Sequence, residues 1–385
     1  MSMMRRLSIL LTGLILVCQA GCRVKKSSPA DGSNHPGKLL ESPECAVCYA
    51  RGFSIAPSDS GWILTITGQP DLGLPEYRYR LVSDHLATGG SDEIVVPVKH
   101  IAASSTTHVG FLLALHQDNR LAGVTNPGRI YNDSLFIRYR SGSLSNLGRD
   151  MAYELEPLIE VNPDLIVQTG FEGQMTGRIS KNGMPAPVLN ILEWRESHPL
   201  GRAEWIKVFG LVTGQLTAAD SLFRIIENRY NQLVHTVLNV NNKPLVMTGN
   251  NFKGTWYMPG GENFMARLFR DGGMTYPFAD TPNRGSLALS FETVLDRFSS
   301  AKVWIGVNAV SRTVLLKEDE RYRSFSSLRT GRIFSINGKV NQRGANDFWE
   351  SGVVRPDIIL QDIINMAHPG LLQDHELCYF KVLKK

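Results

Sequence analysis

Three groups of residues in this sequence have the types and spacing to carry chemistry. Cys45-Ala-Val-Cys48 has the spacing of a redox pair or of half a zinc site, but no second Cys-x-x-Cys and no helix-opening context follows it. A structurally minor disulfide in an exported protein, or free thiols, is therefore the expectation. Ser104, Ser105 and His108 supply a nucleophile and a base, yet they are neighbours on one turn with no identified acid to orient the imidazole, so they read as cleft or helix-cap residues. The third group is a set of arginines and aromatics in segments that follow candidate strands, chief among them Arg129, Tyr131, Trp256 and Tyr257. Gly-x-Ser-x-Gly, Gly-x-x-x-x-Gly-Lys-Ser/Thr and Gly-x-Gly-x-x-Gly are all missing from the sequence, so the chain is expected not to be an enzyme. Direct binding of zinc or manganese needs several histidines and carboxylates converging on one point. Only His108 lies at a predicted cleft turn, while His85, His100, His116, His198, His235, His368 and His375 are scattered.

The elements that position these residues alternate between strand and helix. Trp62–Thr67 and Tyr77–Val82 alternate like strands, the latter with a polar face suited to a sheet edge. Ile101–Ser104 is a strand followed by Ser105-Thr106-Thr107 and an apolar helix over Val109–Leu115, a βα turn whose backbone N–H groups face outward at the strand's carboxyl end. Leu121–Thr125 is a strand leading into the loop Asn126–Asn132, which carries Arg129 and Tyr131. In parallel sheets such loops line the ligand crevice. A helix stopped at Asn162-Pro163 precedes a buried strand Leu165–Thr169, from which Phe171 exits. Ala186–Ile191 is a strand that exits through Leu192–Glu196, and Gly201–Thr213 is a helix closed by Gly214.

From Thr217 to Asn239, apolar residues recur at helical spacing, with Thr217 as N-cap. Roughly 23 residues at a 1.5 Å rise give a rod of about 35 Å, long enough to join two lobes as a strut. An ordinary surface helix inside one large α/β domain is the alternative. Beyond it the pattern repeats: strand Pro244–Thr248, a Gly- and aromatic-rich loop Gly249–Tyr257, helix Glu262–Arg270, helix Phe291–Phe298, strands Lys302–Val307 and Gly331–Ile336, and helix Ile358–Met366. Glu156–Glu160 before one buried strand mirrors Glu292–Asp296 before another, on opposite sides of the strut.

The amino-terminal end carries an address. Arg5-Arg6 precede an apolar run from Leu7 to Val17. That run falls short of the ~20 residues a membrane span needs, and it matches a secretory signal. Ala20-Gly21-Cys22 resembles the lipobox of bacterial lipoproteins, which implies cleavage before Cys22 and a lipid on its thiol; Gln19 stands where that motif usually has Leu. Residues 23–43 have linker composition. The formal charge of +5 falls by 2 when residues 1–21 are removed, and the small excess that remains excludes a nucleic-acid binder.

Glu156 with Asn162–Val167, the run His198–Gly214, the strut, Leu289–Phe298 and Asn346–Pro369 together resemble the substrate-binding proteins of iron-siderophore, haem and cobalamin ABC importers over roughly Ile101 to Pro369. The resemblance implies an α/β fold of two Rossmann-like lobes joined by a single long α-helix, the class III periplasmic binding protein fold, with ligand held between the lobes. The divisions it implies are a signal peptide at 1–21, a lipid-anchored linker at 22–43, an N-terminal lobe at 44–214, a linking helix at 215–240 and a C-terminal lobe at 241–385. It also implies that Glu156 and Glu292 dock against an ABC permease. An acid in a helix's first turn is in any case stabilised by the macrodipole, by ~0.3–1 kcal/mol.

A bulky chelate or macrocycle is best held by aromatic walls with a few oriented polar groups. From the first lobe the candidates are Thr106, Thr107, His108, Arg129, Tyr131 and Phe171, with Trp194 just before the hinge. From the second they are Asn251, Trp256, Tyr257, Arg284 and the late pair Phe348-Trp349. The expectation is a monomeric, lipid-anchored, periplasm-facing binding protein that has no cofactor of its own and takes an iron chelate, haem or corrinoid. The rivals are a free zinc or manganese binder of the same fold and a surface lipoprotein that scavenges ligand without a permease.

Overall fold

The fold is described from a computed structural model, which covers residues 46–90, 92–170, 186–373 and 375–384. Expectations for the signal peptide, the linker, Cys22, Cys45 and Phe171 lie outside the described residues.

In the first half, five strands form a parallel sheet in the order Val188–Ile191, Leu165–Thr169, Ile101–Ala103, Leu121–Val124, Ser145–Asn146. Leu165–Thr169 is buried along its whole length, as expected for a strand covered on both faces, where an unbroken apolar run replaces alternation. Ser105 caps the helix Thr106–Ala114 by accepting the Thr107 amide at 3.2 Å. Asn132 caps the helix Asp133–Arg140 in the same way, accepting from Leu135. The helix Leu155–Val161 stops at Asn162, which takes a left-handed conformation ahead of Pro163.

The second half repeats the plan with Val246–Thr248, Val303–Val307 and Ile333–Ser335 in parallel, and Lys381–Val382 added antiparallel at the edge. The expected loop Gly249–Tyr257 is instead a hairpin, Asn251–Phe252 against Thr255–Pro259, extended by Ser286–Leu289. Its turn uses Lys253 and Gly254 at positive φ (52° and 89°). The period-2 alternation then buries Trp256 and Met258 and exposes Tyr257.

The connecting helix runs Leu216–Val237, 22 residues. Thr217 is not its cap: Gly214, left-handed at φ 73°, closes the preceding helix Ile206–Thr213, and the new helix starts at Gln215 without a side-chain cap. Ala219, Phe223, Ile226, Tyr230, Leu233 and Val237 make a single buried stripe at alternating steps of four and three. That stripe packs on Ile206–Thr213 of the first half and on Pro356–Ala367 of the second. Gly210 is required at the first contact, since a Cβ there would stand 2.5 Å from that of Ala219. Tyr230 anchors the other end, its hydroxyl donating to Asp271 of the second half at 2.8 Å. The two halves pack into one compact unit, residues 41–385.

Ahead of the first half lies a small four-stranded mixed sheet, Phe53–Ser58, Gly61–Ile66 and Tyr77–Val82 antiparallel, with Glu93–Val95 added parallel to the last. The segment leading into it is pinned by two buried acids. The amides of Cys48, Tyr49 and Ala50 donate to the Glu204 carboxylate at 2.7–2.9 Å, and those of Arg51 and Gly52 donate to Glu196. Lys207, itself buried, donates to Glu204 at 2.9 Å and to the Ala46 carbonyl at 2.7 Å. Cys48 and Cys378 are free thiols.

A trough between the two halves

Loops at the carboxyl ends of both sheets meet across the interface. On one side an arm of the second half, residues 341–350, reaches over the first. Glu350 is 2% exposed and accepts the amides of Tyr131 at 2.7 Å and Asn132 at 3.0 Å. Burial, aided by Asp347 and opposed by these amides and Arg343, pushes its carboxyl up to about 7. Arg343 donates to Asp133 at 2.8 Å and stacks over Phe136 at 4.0 Å, Asn341 donates to the Tyr131 carbonyl at 3.2 Å, and Thr106 donates to that of Trp349 at 3.1 Å. Gly110 completes the seam: a Cβ there would lie 2.0 Å from the Glu350 carbonyl oxygen. A groove of about 540 Å³ runs beside this arm, between Tyr131, Leu222 of the connecting helix and Arg355.

The other side opens into a trough of about 490 Å³, lined by Asp71 and Arg195 from the first half and by Glu262 and Pro282–Ser286 from the second. Two ion pairs line it, Arg195–Asp71 at 2.5 Å and Arg284–Glu262 at 3.2 Å. Arg195 belongs to the turn Glu193–Arg195, which follows the edge strand Val188–Ile191. Glu193 in that turn is buried, and burial raises its pKa against the pull of Arg202 and Thr107. Arg202 approaches it at 3.8 Å and stacks on Phe264 of the second half at 4.5 Å, so this pair sits at the junction of the two halves. Glu193 Oε2, Arg195 Nε and Arg202 Nε are buried without a hydrogen-bond partner among the described residues, an uncommon state for polar atoms in a folded interior.

The structure distributes the candidate residues unevenly. Arg284 lines the trough, and Trp194, half-buried, lies under the Arg195 guanidinium at 5.5 Å. Thr106 and Trp349 meet across the interface, the indole 46% exposed, and Tyr131 lines the groove beside the arm. Arg129 is solvent-exposed and 4.0 Å from Asp150. Tyr257 is exposed, while Asn251 uses its amide on the Tyr322 hydroxyl. Three residues prove to be core. Trp256 is fully buried, donating to the Thr248 carbonyl and ringed by Trp304, Tyr322 and Phe325 at 5.6–5.8 Å. Phe348 packs edge-on against Tyr379 and Phe380. His108 points from its helix into the sheet against Phe209, and burial depresses its pKa to about 3, so it presents no imidazole to a cleft. Thr107 is likewise buried, its hydroxyl held by Ser105. Among the described residues no three His, Cys, Asp or Glu side chains converge as a metal set.

Glu156 and Glu292 both stand exposed in the first turn of their helices. Glu156 makes no ion pair among the described residues, whereas Glu292 lies 3.5 Å from Arg321. The residues missed from sequence are Asp71, Arg195, Glu262, Asn341, Arg343 and Glu350. Arg195 alone carried a signal, since it lies in the exit from a predicted strand; acids and amides in loops carry none.

Two parallel-stranded halves spanned by one helix, with a trough lined by loops of both, define a binding protein of the class III periplasmic fold. The sequence model of the periplasmic binding proteins matches residues 101–340, and the chain belongs to that family. An uncharacterised lipoprotein of Methanocaldococcus jannaschii is 24% identical over 299 residues, 74% of this chain and 69% of its own; a second from the same organism is 23% identical over 98% of both chains. Among solved structures, a periplasmic heme binding protein from Pseudomonas aeruginosa superposes with a TM-score of 0.56 at 13% identity, covering 75% of this chain and 99% of that one. An ABC-type Fe3+-hydroxamate transport protein from Saccharomonospora viridis gives 0.53 at 17% identity, covering 78% and 98%. No helix among the described residues is long and apolar enough to cross a membrane.

Proposed function

We propose that this protein is the substrate-binding component of an ABC importer, taking a ferric siderophore, haem or a cobalamin-type corrinoid into the trough between its halves and delivering it to the permease. The observation that carries this reading is the trough itself: both halves contribute oriented charged groups to it. Glu156 and Glu292 are the proposed contacts to basic pockets of the permease, and a lipid on Cys22 the proposed anchor to the cell envelope. A free-metal reading lacks support: His108 is buried, and the other histidines form no set with carboxylates among the described residues.

Tryptophan quenching of the soluble body by cobalamin, haem, a ferric hydroxamate and a ferric catecholate tests the ligand. Quenching by none of them removes the reading. The docking is tested by Glu156→Ala with Glu292→Ala: uptake by cells should fall at least tenfold while affinity stays within twofold. Undiminished uptake would leave a scavenger that needs no permease contact at these residues.

A further inference from the structure

Arg195 is the least solvated cation of the trough, its side chain 14% exposed. It gives Nη2 to Asp71, while its buried Nε has no acceptor among the described residues. Asp71 is not part of the first half's sheet. It lies in the short turn Pro70–Leu72 of the small mixed sheet, which Gly73 closes in a left-handed conformation, and that whole sheet precedes the region 101–340 shared with the family. Its side chain is 56% exposed, so no packing holds it on Arg195. With Asp71 in place the lining charges cancel: Arg195 and Arg284 face Asp71 and Glu262.

We propose that Asp71 is a charge filter for the ligand: by occupying Arg195 it keeps the trough neutral, so that it takes chelates of low net charge and disfavours polyanionic ones. This rests on the trough being the ligand site. A polyanion entering would meet two carboxylates and no free cation, since Asp71 already engages Arg195 and Glu262 engages Arg284. A neutral ferric hydroxamate or corrinoid meets only dipoles and hydrogen-bonding groups and has no charge for either carboxylate to repel. A substitution at so exposed a site leaves the fold essentially unchanged.

The test compares the lipid-free body with Asp71→Asn, using a ferric tris-catecholate as polyanion and a ferric trihydroxamate and cyanocobalamin as probes of low charge. Wild type should prefer the low-charge probes. Asp71→Asn should raise affinity for the catecholate about tenfold relative to its effect on the other two probes, and added salt should shrink that difference because the trough is open to solvent. The double variant Asp71→Asn with Arg195→Gln should lose the gain. Equal changes for all probes, or none, would make the Asp71–Arg195 pair a mere pin for the small mixed sheet and overturn the filter; so would a wild type that prefers the catecholate. A wild type that binds no probe overturns the reading of the trough, and the filter with it.

Discussion

Glu350→Gln puts the seam between the halves to a quantitative test. Glu350 titrates at about 7 in the fold against an ordinary 4.5. Each pH unit between the two values is worth about 1.36 kcal/mol, so the full linkage is about 3 kcal/mol. The sign follows from proton counting: between those values the folded state binds more protons than the unfolded chain. The contribution of Glu350 is therefore fully present below pH 4.5 and is lost as pH rises through 7. His108 and His198, held down to about 3 and about 4 chiefly by burial, act the opposite way. Their contribution is present above pH 6.5 and lost as pH falls toward those values. Both histidines remain in the variant, so their effects cancel in the difference. Glutamine does not titrate, and its NH2 would face one of the two amides that the carboxylate now accepts, at a cost of about 1–3 kcal/mol. In urea unfolding at intervals from pH 5 to pH 8, the variant should be the less stable protein at pH 5. By pH 8 the difference should have moved by roughly 2–3 kcal/mol in favour of the variant, because only wild type weakens. A gap that stays constant across that range would refute the assignment of a near-neutral carboxyl to the seam.

Gly110→Ala should destabilise by at least the ~1–3 kcal/mol of an overpacked core, because the Glu350 carbonyl is backbone and cannot yield to a Cβ 2.0 Å away; hydrogen exchange at Tyr131 and Asn132 should quicken with it. Adjacent hairpin residues should behave oppositely. Trp256→Ala should lose ~3–5 kcal/mol by denaturant unfolding while Tyr257→Ala stays within ~0.5 kcal/mol, and similar losses for both would contradict the strand alternation.

Elements whose local chemistry and tertiary placement agree were legible in the sequence. Tyr77–Val82, Leu165–Thr169 and Phe291–Phe298 fall at the boundaries their periodicity predicts, the last behind a Ser290 cap. The hairpin was not, because Gly249, Gly254 and the aromatics around them read as a loop; the alternation of Trp256, Tyr257 and Met258 was present but short. His108 was misplaced for a related reason. It follows a polar turn, yet it shares the inward face of its helix with Phe111 and Leu112. Glu196, Glu204, Glu350 and Asp362 had no signal at all. Each is buried and accepts backbone amides from distant residues, and nothing in a sequence separates such an acid from one facing water. The trough combines Asp71, Arg195 and Glu262, segments far apart in the chain, which only the fold brings together.

The arm at 341–350 has a consequence for delivery under the proposed role. Because it is stitched to both the first helix and the loop at 130–133, the halves cannot hinge like jaws without tearing several polar links at once. Under that role the mouth should change little in shape between empty and filled, so that a transporter telling the two apart would have to sense the cargo itself at the rim. Emptying such a vessel takes a wedge from outside.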